Sequence, residues 1–178
     1  MKTTSNGLQY DCGFSPKMGS KELVIGHINS ATKSIFMATY SFTCPDIANA
    51  LIAAVKRGVV VNVVSDEVDN IKPASVTKLI SENGVSVKLN NKYHILHHKF
   101  IIVDETHLEL GSFNYSHNAY VSNAENVLVL QNVPEICAEY KTQWDRMWSE
   151  GFEWSQRSGF VVMFKHIVHK VKSLSKTN

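Results

Sequence analysis

Cysteine is scarce and irregularly placed: Cys12, Cys44 and Cys137 form an odd, scattered set with no C-x-x-C. Neither a disulfide framework nor a zinc ribbon is indicated, and reduced thiols are expected. Long apolar runs are missing too. No stretch approaches the roughly 18–20 apolar residues of a membrane span. The polar opening MKTTSNG leads into no apolar run of the kind that marks a signal peptide. The expected location is therefore cytoplasmic, or periplasmic or secreted if the numbering starts from a processed form. A strong charge of one sign is also lacking: 18 Lys and Arg face 16 Asp and Glu, so the whole chain advertises no polyanionic partner. No internal repeat and no low-complexity linker divides it.

What is present is a chain of 178 residues with ordinary globular composition, the size of one domain with a real core. Ser20 is expected to cap a helix carrying Leu23, Val24, Ile28 and Ala31 at helical spacing. Residues 34–42 read as a strand. Pro45 and Asp46 open a second helix that Gly58 stops, residues 59–64 read as a strand covered on both faces, and a helix over 74–83 precedes a strand over 85–89. This alternation is the rhythm of an α/β sheet with helices packed on its faces. Further strands are expected over 95–103, 107–110 and 125–130, then a helix from Pro134 with Ile136, Tyr140, Trp144, Met147 and Trp148 on one stripe. The expected layout is a polar leader over 1–12, one domain over 13–152 and a distinct extension over 153–178. From residue 151 onward five basic side chains face one acidic. Residues 160–175 there have the pattern of a basic amphipathic helix, suited to its own domain, a membrane surface, a nucleic acid or a partner chain.

Histidine is the most unevenly placed residue, with five of eight (His94, His97, His98, His107, His117) inside 24 positions. On a regular strand over 95–103, His97 and Lys99 share a face while His98 and Asp104 take the other parity. This sets an imidazole beside a fixed cation and assigns Asp104 a structural hydrogen-bonding role at the strand end. Gly111-Ser112-Phe113-Asn114 then supplies a hydroxyl and a carboxamide, both able to donate to an oxyanion. Such a set, with no carboxylate on the same strand face, suits a phosphate ester. Glu125, on the next strand, is a candidate to orient an imidazole.

The spacing is more specific than any one residue. His97, Lys99, Asp104, Gly111, Ser112 and Asn114 read HxK, four residues, Asp, six residues, GSxN, which resembles the signature of the phospholipase D superfamily. Tyr40-Ser41-Phe42-Thr43 with Pro45-Asp46-Ile47, the Lys56-Arg57-Gly58-Val59 turn, the segment from Ser122 to Asn126, and Trp144 with Trp148 are similar to the small Nuc-type bacterial endonucleases of that superfamily, over about residues 13–152. The resemblance implies the phospholipase D-like fold, a mixed central sheet flanked by helices on both faces. It also implies metal-free hydrolysis without a cofactor, in which one His attacks phosphorus to form a phosphohistidine and a second protonates the leaving oxygen. His97 is the one histidine followed by Lys two positions on, so a homodimer sharing two copies of His97 is expected. In that reading Lys99, Ser112 and Asn114 bind the phosphate, Glu125 orients His97, and Asp104 and Gly111 are structural. Lys88, Lys92, Tyr93, Tyr115 and Tyr120 are candidates for contacting a nucleic acid strand.

The favoured substrate is DNA, with RNA as an extension, cut with little sequence preference. The rivals are a lipid-directed phospholipase D anchored by the C-terminal helix, a non-catalytic module keeping the fold, and a metal nuclease. For the last, Asp46 with Glu139 and Lys141 only superficially echoes a carboxylate-and-lysine site, and His94 with His97 lacks a third ligand.

Overall fold

The computed structural model describes residues 1–155. Its elements run β1 (Lys2–Thr3), β2 (Gln9–Phe14), α1 (Ser20–Asn29), β3 (Ser34–Thr39), α2 (Pro45–Lys56), β4 (Val60–Asp66), α3 (Glu67–Asn70), α4 (Thr77–Glu82), β5 (Ser86–Asn90), β6 (Lys99–Val103), β7 (His107–Gly111), α5 (His117–Val121), β8 (Asn126–Gln131), α6 (Pro134–Glu150) and β9 (Phe152–Glu153). The nine strands form one sheet in the order β1-β2-β8-β7-β6-β3-β4-β5-β9. β3, β4 and β5 are parallel, joined by helical crossovers, and every other pairing is antiparallel. The fold is thus α/β with a mixed central sheet.

Alternation along the strands builds a core on each face. Ile101 and Val103 join Ile35, Met37, Val61, Val63, Val127 and Val129 beneath α1 and α2, where Val24, Ile28, Ile47 and Leu51 are fully buried. Phe100 and Ile102 join Ala38, Val64 and Leu108 beneath α6, which contributes Cys137, Trp144 and Met147. Trp144 buries its ring and donates its indole N–H to the Met37 carbonyl at 2.9 Å, satisfying the one polar atom that burial would strand. Gly58 ends α2 with a φ of 89°, a backbone conformation that costs glycine nothing.

Several boundaries differ from the sequence expectation. The polar leader is not separate: β2 pairs with β8 over Gln9 to Gly13, and β1 adds to β2. These are outer strands whose half-exposed residues carry no clear apolar alternation. Ser20 does not cap α1. Gly19 precedes the helix at φ 87°, and the Ser20 hydroxyl bonds Ser15 Oγ at 2.6 Å. The strand expected over 95–103 begins only at Lys99, since residues 91–98 leave the sheet as a loop. The short helices α3 and α5 fall in stretches to which the sequence assigns no element. Among the described residues no helix is long and apolar enough to cross a membrane, and the amphipathic pattern over 160–175 lies outside them.

Candidate active site

The sheet register collects the motif at one edge. Thr39, the last residue of β3, pairs with Lys99, the first of β6, and with Ser65 near the end of β4. Phe100 pairs with Leu110, and Gly111 with Val127. The ends of β3, β4 and β7 and the starts of β6 and β8 therefore meet. Tyr40, His97, Lys99, Ser112 and Glu125 all sit within two residues of that edge.

His97 lies in the loop before β6, exposed, with its ring 5.0 Å from that of Tyr40. The expected strand parity does not produce the His97–Lys99 pair. The Lys99 ammonium, on a side chain only 8% exposed, turns back and donates to the His97 carbonyl at 2.7 Å. It also lies 5.5 Å from the centre of the Tyr40 ring. Burial pushes the Lys99 ammonium down to about 8, with the nearby Glu125 carboxylate pulling the other way. The His97 imidazole is lowered from its usual value by desolvation and by Lys99, partly offset by Asp66. A neutral, accessible imidazole thus stands beside a cation at neutral pH.

Ser112 follows β7 and locks to the start of β8. Its N–H donates to the Asn126 carbonyl and Oδ1, both at 3.2 Å, and its hydroxyl accepts from Asn126 N–H at 3.1 Å and donates to Glu125 Oε2 at 2.5 Å. Glu125 also accepts from Asn123 Nδ2 at 3.0 Å. Contrary to expectation, the partners of the Glu125 carboxylate within the chain are Ser112 and Asn123 rather than the His97 ring. Asn114 is half-buried, and its Oδ1 is enclosed without a hydrogen-bond partner. Gly111 packs so closely on β8 that a Cβ would lie 2.1 Å from the Asn126 carbonyl oxygen. Asp104 sits at the far end of β6 with φ 53°. Its carboxylate accepts from the Thr32 hydroxyl and from the N–H groups of Thr32, Lys33 and Ser34. Burial opposes its charge, but these bonds prevail and hold the carboxyl at about 2.

The other candidates disperse. Tyr115 cannot touch a nucleic acid: it is fully buried, and its hydroxyl donates to the equally buried Glu109 at 2.6 Å. Lys88 is engaged with α6, over the Trp148 ring at 4.8 Å and 3.9 Å from Glu153. Tyr93 donates to Glu150 at 2.7 Å, and Tyr120 lies under Lys21. Lys92 is exposed. The histidine cluster also separates: His107 accepts from Asn132 N–H at the opposite sheet end, and His117 opens α5. Asp46 pairs with Lys21 at 2.7 Å beside α1, whereas Glu139 lies on α6 across the sheet. Among the described residues no three His, Cys, Asp or Glu side chains are placed to hold a metal ion.

Tyr40 and Asp66 are site residues that motif reasoning missed. Tyr40 forms one wall of His97. Asp66, 4% exposed at the end of β4, accepts from Leu96 N–H at 3.0 Å. Its signal was legible: a carboxylate closing a valine-rich strand at the carboxyl end of a parallel sheet, where ligand sites gather. A cleft of ≈ 290 Å³ lined by Tyr93, Ile95, Leu96, His97 and His98 opens beside the imidazole.

Comparison with known proteins agrees with this geometry. A phospholipase D family member, Nuc from Salmonella typhimurium, superposes with a TM-score of 0.79 at 38% identity, over 83% of this chain and 98% of that one. NucT from Helicobacter pylori superposes with a TM-score of 0.70 at 27% identity, over 82% and 100%. A mitochondrial cardiolipin hydrolase of Xenopus laevis is 32% identical over 67% of this chain and 57% of its own length. A phospholipase D of Rickettsia conorii is 30% identical over 74% and 65%. The chain thus spans about three fifths of the length of these curated relatives. Residues 24–148 match the family described as cardiolipin synthase, PLD-like domain, and with the complete HxK and GSxN elements at one sheet edge the chain belongs to that phospholipase D-like family.

Proposed function

We propose that the protein is a metal-independent phosphodiester hydrolase that cleaves DNA, and RNA as an extension, through a phosphohistidine, with the active site completed by a second copy of the chain. The observation that carries this reading is the His97–Lys99 unit: an exposed imidazole kept neutral beside a buried ammonium. A nitrogen of one His97 attacks phosphorus, and the P–O bond to the leaving oxygen breaks. That oxygen takes the proton of the second, protonated His97. The now neutral second imidazole removes a proton from water, whose oxygen displaces the phosphohistidine nitrogen and releases a phosphomonoester. Lys99 of both copies neutralises the phosphate, and Ser112 and Asn114 bind its oxygens. The chain holds a single HxK, so one copy supplies one such imidazole.

Plasmid DNA and single-stranded RNA incubated with excess chelator test this directly. Cleavage by the wild type and none by His97→Ala, at unchanged solution mass, is the expected result. A His97→Ala protein that cuts near the wild-type rate removes His97 from the mechanism.

A second reading is favoured by relatives named cardiolipin hydrolase and phospholipase D: the same site acting on a lipid phosphodiester. Vesicles of cardiolipin or phosphatidylcholine belong in the same assay. Lipid turnover with intact nucleic acid would reverse the order.

A further inference from the structure

Two buried polar side chains outside the motif reach both segments that enclose His97. We propose that Asp66 and Asn70 are positioning residues of the site, Asp66 tethering the nucleophile's loop through Leu96 and Asn70 tethering the Tyr40 segment; this rests on His97 being the nucleophile.

Residues 91–98 carry His97 outside any strand ladder, so other contacts must fix them. The bond from Leu96 N–H to Asp66 Oδ2 acts one residue before His97, and the Leu96 side chain is itself 2% exposed. Asp66 Oδ1 accepts from Asp69 N–H at 3.0 Å, capping α3 and fixing the carboxylate's own orientation. On α3, the fully buried Asn70 donates through Nδ2 to the Tyr40 carbonyl and, at 2.9 Å, to the Asp66 carbonyl. Its Oδ1 accepts from Phe42 N–H at 3.2 Å and from the Ser75 hydroxyl at 3.1 Å. Both walls of His97, its own loop and the Tyr40 ring, thus hang from one four-residue helix and the strand end before it. Such a tether holds the imidazole against the displacement that costs attack its geometry.

A carboxylate is a costly choice for this tether, since an amide would suffer less on burial. Two charge-assisted bonds from N–H groups offset part of that cost. The charge has a second consequence. Among the described residues, Lys99, Asp66, Tyr40, His98 and Tyr93 are the titratable groups that face His97 or line its cleft. Burial and Lys99 favour the neutral imidazole, while the Asp66 charge opposes them and favours the protonated form. A site that uses one His97 neutral and the other protonated needs that balance.

Asp66→Asn and Asp66→Glu separate position from charge. In a chelator-containing nuclease assay, both should lower kcat by up to about a hundredfold with KM little changed. Titration of the His97 ring protons by NMR, on the full chain without substrate, should move to lower pH in Asp66→Asn and stay near wild type in Asp66→Glu. Wild-type kcat in both variants, or an unmoved His97 titration in Asp66→Asn, would overturn the proposal. The NMR readout does not depend on turnover, so it judges Asp66 even if the wild type cleaves no nucleic acid. If Asp66→Asn does not fold, Asp66→Glu still decides through kcat: a wild-type value overturns the tether and a loss upholds it.

Discussion

The Lys99 ammonium is buried at the start of β6, where desolvation brings its proton affinity down to about 8. The direction fixes the consequence: the cation is complete below that pH and is lost as pH rises through it. Affinity for a short phosphorothioate oligocytidine, whose backbone charge is constant over the range, should therefore fall between about pH 7 and 9. Lys99→Arg should flatten that fall, because a guanidinium stays protonated; a fall of the same size in the variant would assign the titration elsewhere. Asp104 gives the opposite sign. Its carboxyl is held at about 2 against an ordinary 3.8, so it contributes stability above about pH 4 that is lost as pH falls toward 2. The site is half exposed, so solvent screening reduces this contribution to on the order of 1 kcal/mol. Asp104→Asn should melt below the wild type at pH 7 and together with it at pH 2. The HxK and GSxN residues were legible because their types and spacing are specific. The role of Glu125 was not, since its partners Ser112 and Asn123 are chosen by the β7–β8 junction, a contact that strand assignments alone do not describe.

At the scale of elements, the parallel core was readable because β4 carries four valines in seven residues, α2 has a Pro start, and Gly58 and Gly84 follow α2 and α4. The start of β6 was misread for a physical reason: the residues before it, His94 to His98, have strand-like composition, but Asp66 takes the Leu96 N–H that a ladder would use. β2 was missed because an outer strand need not alternate. The junction of β7 with β8 makes the sharpest demand on sequence. Gly111 has no room for a methyl group: the Asn126 carbonyl oxygen lies 2.1 Å from where its Cβ would stand, and that atom is backbone rather than the end of a flexible side chain. Gly111→Ala should cost about 3 kcal/mol, the upper end of ordinary overpacking, and lower Tm by roughly 6–12 °C for a chain of this size. Because Ser112 and Asn114 follow directly, activity measured well below the new Tm should fall as well. A variant with a lowered Tm but intact kcat would show that the strand contact serves stability alone.

For the whole molecule, the decisive property is that one chain offers one His97–Lys99 unit while the proposed chemistry consumes two imidazoles. Within the proposed reading that single unit lacks its partner imidazole, and a second copy of the chain supplies it by symmetry. This has a quantitative signature. When wild type is mixed with an equal amount of His97→Ala and allowed to exchange, random pairing leaves about one quarter of dimers with two histidines, although half the chains are wild type. Activity per wild-type chain should therefore drop to about half, and excess mutant should suppress it further. Dilution of wild type below its dimer dissociation constant should reduce specific activity in step with the loss of dimer mass. If instead each wild-type chain keeps its full activity at every mixing ratio, one chain completes the reaction alone. The second proton donor would then have to come from the same polypeptide, with His98, next to His97 on the loop, the first residue to replace.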